Sequence, residues 1–71
     1  MVTIPRAEIQ AIAERHRHDY GLAHDPRAEW VRAEAEDLRT GRHRVSELDH
    51  PGQLADDLDA LADRYEREAT Q

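Results

Sequence analysis

The stretch HRHDYGLAHDP, residues 16–26, sets three of the chain's five histidines beside two aspartates and a tyrosine. Imidazoles and carboxylates hold zinc and move protons, so this is the first place to look for chemistry. The spacing argues against it. On a helix, residues two apart point about 200° away from each other, so His16 and His18 cannot grip one ion. A helical two-histidine site uses i, i+4, as in H-E-x-x-H; the fourth residues after His16 and His18 are Tyr20 and Leu22. His24 falls in a turn, and nothing in the spacing directs it at the others. His16 is expected on the apolar side, bonded to Tyr20 or backbone, with His18 facing solvent. The run Arg15-His16-Arg17-His18 reads as cations at a helix C-terminus, where the dipole favours them. The stretch is a helix end, a turn and a helix start, with no metal or cofactor assigned to it.

Other catalytic arrangements are missing from the spacing as well. Cysteine is absent, which removes thiol chemistry, disulfides and cysteine-based zinc sites together. There is no Gly-rich phosphate loop and no nucleophile elbow, and the one serine, Ser46, stands in a capping or turn arrangement with Asp49. No catalytic residue is assigned, and the chain is not expected to be an enzyme.

Charge offers more. Residues 1–48 hold eight Arg against nine acids, and residues 49–71 two Arg against seven, so most of the net −6 lies in the last third. There Asp56, Asp59, Asp63 and Glu66 fall within about an 80° helical sector, nearly opposite Leu54 and Leu61. Such a ridge is either a solvated face or a surface that docks a basic patch on a partner protein. Trp30, at the border of the apolar stripe of its helix, is either a core-edge side chain or an interface anchor. Two basic clusters, Arg15–His18 and Arg39, Arg42, His43 and Arg44, raise the alternative of nucleic-acid binding. In an antiparallel bundle the first two helices end at opposite poles, so the clusters are not expected to form one phosphate-tracking surface. A recognition helix carrying the acidic ridge would repel phosphates.

The elements that position these residues are well punctuated. Thr3 with Pro5 starts a helix and Gly21 stops it; Asp25 caps a second helix with Pro26 at its first position, and Gly41 ends it. Asp49 or His50 with Pro51 opens a third. The spacing predicts helices at about 5–20, 26–40 and 50–69. Each carries one apolar stripe: Ile9, Ile12, Ala13, His16 and Tyr20; then Ala28, Val31, Ala35 and Leu38; then Leu54, Leu58, Leu61 and Tyr65. Three inward stripes make an all-α, compact three-helix bundle, here a single small domain over residues 1–71.

A chain of 71 residues without phenylalanine buries a modest core, which makes a partner-bound or homodimeric state plausible. No apolar run approaches the roughly 20 residues of a membrane span, and MVTIPRAEIQ lacks the layout of a secretion signal, so a cytoplasmic protein is expected. The composition and spacing together point to an acidic protein-interaction module that acts as a regulator, adaptor or inhibitor. An antitoxin- or repressor-like nucleic-acid-binding regulator is the runner-up.

Overall fold

Pro5, with φ −57° and ψ 133°, leads the chain into its first helix, and Pro51 occupies the first turn of its last. The structure, a computed structural model, describes residues 2–20, 25–45 and 50–70. It is an all-α bundle of α1 (Arg6–Arg15), α2 (Ala28–Thr40) and α3 (Pro51–Ala69), with no strand longer than an isolated bridge among the described residues. The stripes bury as their periodicity requires. Ile9, Ile12 and Ala13 of α1, all four stripe residues of α2, and Leu54, Leu58 and Leu61 of α3 are buried. Ala55 and Ala62 widen the buried face of α3, so this helix is packed on two sides.

The order in which the helices point differs from a simple up-down bundle. Val2 to Ile4 run antiparallel to the residues before α2: the Ile4 amide donates to the Pro26 carbonyl at 2.8 Å, and the Ala28 amide to Val2 at 2.9 Å. Ile4 is completely buried by this arrangement. The bridge ties the start of α1 to the start of α2, so the two helices run the same way, and both lie antiparallel to α3. Glu8, early in α1, meets Arg64 late in α3, and His16, at the end of α1, meets Asp57 early in α3. No pair of Cα atoms from α1 and α2 comes within 8 Å, and α3 lies against both. The expectation that α1 and α2 end at opposite poles is therefore corrected, because the chain after α1 must return to the N-terminal strap before α2 can start.

Two boundaries are corrected with it. The first helix stops at Arg15, short of the expected residue 20. The His18 amide bonds to the Ala13 carbonyl and the Arg17 amide to Glu14, a Schellman closure that places Arg17 at φ 59°. Stopping there lets Tyr20 fold back, where its amide donates to Gln10 Oε1 at 3.3 Å. Asp25 does not cap the helix that follows it. Its Oδ1 instead accepts the Arg6 amide at 3.1 Å, satisfying one of the free N–H groups that open α1, while α2 begins two residues later than expected. The expected stop at Gly21, the turn residue His24 and the cap residues Ser46 and Asp49 lie outside the described residues.

An apolar groove beside Trp30 and the charged faces around it

The acidic ridge meets another helix. Arg39 reaches Asp56 at 2.7 Å and Asp59 at 2.5 Å, and one turn-pair earlier Arg32 binds Asp63 and both carboxylate oxygens of Glu66. Arg32 and Arg39 are seven residues apart on α2, and the two acid pairs are seven apart on α3. Antiparallel packing brings them into register. Hydrogen bonds from Arg32, with its charge, hold the Asp63 and Glu66 carboxyls below the usual carboxylate range, and the acids raise Arg32 in return. These groups are substantially exposed, so the ladder sets the α2–α3 register more than it adds stability. It also offsets the like-charge repulsion of Asp59 and Asp63.

The histidines of the opening stretch separate. His16 bonds to Asp57 Oδ2 at 2.8 Å, tying α1 to α3 rather than to Tyr20 or backbone as expected. His18 does not face open solvent. Its ring lies edge-on to Tyr20 at 4.4 Å and 5.9 Å from the His43 ring, and His43 in turn bonds to Glu34. Because α1 and α2 end at one pole, Arg17, His18, His43 and Arg44 line a single open polar cleft together with Glu14 and Asp19. Of the expected basic set, His43 and Arg44 enter this cleft, Arg39 is committed to the ladder, and Arg42 is largely exposed beside Asp37. Two acids and two helix C-termini at the same pole reduce what these cations offer a phosphate. Among the described residues, no three His, Asp or Glu side chains converge to hold a metal ion, and no helix is long and apolar enough to cross a membrane.

Trp30 stands apart from these polar arrangements. It is 58 % exposed, the one large hydrophobic side chain so placed among the described residues. The Arg27 guanidinium lies 5.2 Å over its ring. Beside it, where α1 and α2 part over α3, a groove of about 180 Å³ opens. Leu58 and Val31 are among its core-derived walls, Ile9 comes from α1, and Tyr20, Pro26, Trp30 and Glu34 complete it. A dry apolar cavity of ~150 Å³ is enough to take benzene, so the groove accepts one large apolar side chain. Its charged lining residue is Glu34. The Tyr20 hydroxyl is sealed beneath the surface, without a hydrogen-bond partner among the described residues, and burial, then the charge of Glu34, pushes its ionisation upward. The sequence singled out Trp30 but not the groove. Tyr20 and Ile9 share a stripe in the sequence, yet only the early end of α1 aims Tyr20 at the gap.

Comparison of the chain with protein-family models, with curated proteins and with solved structures found no match.

Proposed function

We propose that the protein is a protein-interaction module, a small regulator, adaptor or inhibitor, which docks through Trp30 and the groove beside it. The supporting observation is the juxtaposition of an exposed tryptophan with an adjoining apolar pocket. Tryptophan is enriched among the few residues that carry most interface binding energy, and these cluster in well-packed pockets near the centre of a contact. The acidic ridge plays a smaller part in this reading, since Arg32 and Arg39 already occupy Asp56, Asp59, Asp63 and Glu66. Capture from nuclease-treated source lysate tests it, with wild type, Trp30→Ala and the double variant Arg42→Ala/Arg44→Ala as baits. A stoichiometric protein retained by wild type and the double variant but lost with Trp30→Ala supports the groove. Equal retention by all three baits removes Trp30 from the mechanism.

The second reading, nucleic-acid binding, gains one observation: the basic residues at the ends of α1 and α2 share a cleft instead of facing apart. It predicts retention of nucleic acid that vanishes in the Arg42→Ala/Arg44→Ala bait and falls steeply with salt.

A further inference from the structure

The groove asks for an occupant with particular chemistry. It needs an apolar body of about one large side chain, together with a hydrogen-bond donor for the Glu34 carboxylate on its wall. Glu34 already accepts from His43, but a carboxylate has acceptor capacity for more than one donor. An indole fits both demands, because its ring is apolar and its one polar atom is an N–H that only donates. The chain has one tryptophan, and it stands on the rim of this same groove.

Resting on the docking reading above, we infer that the occupant is Trp30 of a second copy, inserted reciprocally across a two-fold axis. An isologous contact requires each subunit to carry knob and hole on one patch, and Trp30 beside the groove meets that requirement. Charge complementarity points the same way. Arg27 travels with Trp30, 5.2 Å from its ring, and Glu34 waits on the groove wall. Insertion brings each copy's Arg27 towards the other's Glu34, and both pairs form at once. A basic heterologous partner would satisfy Glu34 but would not explain why the donor-bearing aromatic and its receptor lie side by side on one face.

Each copy carries a net charge of −6, which gives the dimer a distinctive salt response. Long-range repulsion between like-charged copies is screened as ionic strength rises, so self-association tightens with salt, whereas docking of a basic partner loosens.

Sedimentation velocity of the whole chain over ~1 µM to ~1 mM, at low and moderate salt, tests this inference. The expected result is a reversible monomer–dimer equilibrium that tightens with salt, accompanied by a blue shift of Trp30 emission as dimer forms. Trp30→Ala should weaken association about 30-fold or more, the loss of one central anchor. Glu34→Gln keeps the side-chain shape but removes the charge that meets the second copy's Arg27, and should weaken association about tenfold. Monomer at every concentration overturns the inference. So does a dimer indifferent to both substitutions. Neither result touches the docking reading itself, which stands or falls on whether Trp30→Ala releases a captured protein.

Discussion

Arg17 and Gly41 each lead the chain out of a helix through the left-handed region, at φ 59° and φ 78°, yet only one of them is glycine. An L-residue there sets Cβ against a carbonyl oxygen at a cost of roughly 1–2 kcal/mol, which glycine avoids. Glycine returns about 0.5–1 kcal/mol of that through the greater freedom of its unfolded chain. The backbone term alone therefore favours glycine over alanine at position 17 by about 0.5–1 kcal/mol. Alanine is the proper comparator, because deleting the arginine also removes a cation from a helix C-terminus, worth ~0.3–1 kcal/mol at most. With each kcal/mol moving Tm by about 4–8 °C in a domain of this size, Arg17→Gly should melt about 2–8 °C above Arg17→Ala. Gly41→Ala is the mirror experiment. The nearest atom to an added Cβ is Arg44 Nε at 4.0 Å, so no clash intervenes, and Tm should fall by the same net backbone term, about 2–8 °C. Thermal melts followed by far-UV circular dichroism, with urea titrations to verify an unchanged m-value, make the comparison. The sign decides the matter. If α1 continued to residue 20, glycine at position 17 would sit inside a helix and cost about 1 kcal/mol against alanine. Arg17→Gly melting below Arg17→Ala would refute the early helix end, and with it the path that brings Tyr20 to the groove.

Further outcomes follow from the same contacts. Asp63 and Glu66 have carboxyls depressed by Arg32, so their contribution is present above the unfolded carboxylate range and is lost as pH falls through the lowered folded values. Arg32→Gln should flatten the acid limb of Tm against pH at low salt, and an unchanged limb would mean the ladder is energetically idle. Tyr20 is shifted the other way, upward by burial and then by Glu34; its contribution is present below the unfolded tyrosine value and is lost as pH rises through the folded one. Tyr20→Phe should remove that alkaline loss and, by deleting an unpartnered buried hydroxyl, stabilise the monomer by about 1 kcal/mol in urea titrations. Leu58 is 1 % exposed and forms part of the groove lining. Leu58→Ala should cost about 2–5 kcal/mol, a large share of the roughly 4–11 kcal/mol expected for a chain of this length, and should lower the urea midpoint accordingly at an unchanged m-value.

The apolar stripes were legible where the helices form, while His16 and Tyr20, expected on the first stripe, fall beyond the end of α1. Ile9, Ile12, Val31, Leu38, Leu54, Leu58 and Leu61 bury as their spacing requires, because helical periodicity is a local property that packing then obeys. What depended on contacts between distant segments was not. Ile4 reads as a stray apolar residue until the strap to Pro26 and Ala28 buries it, and that strap alone decides that α1 and α2 point the same way. The helix stop at Arg17 carries no glycine signal, so local preference placed the end later. The partners of the acidic ridge left a trace in the sequence: Arg32 and Arg39 repeat at seven residues, as do the acid pairs on α3. Two matched repeats of opposite sign on neighbouring helices are a register signal, and weighing the ridge alone concealed it. Trp30 was legible as a residue of interest, whereas its groove needed Tyr20, Pro26 and Glu34 gathered from three segments.

The most direct measurement replaces Trp30 with a photo-crosslinking phenylalanine analogue in the source cell, with the same analogue at Glu36, an exposed position elsewhere on α2, as the control. Irradiation should give one discrete protein adduct from position 30 and none from position 36, with twice the chain mass identifying a second copy. Adducts at position 30 no more frequent or discrete than those at position 36 would contradict a docking surface at Trp30.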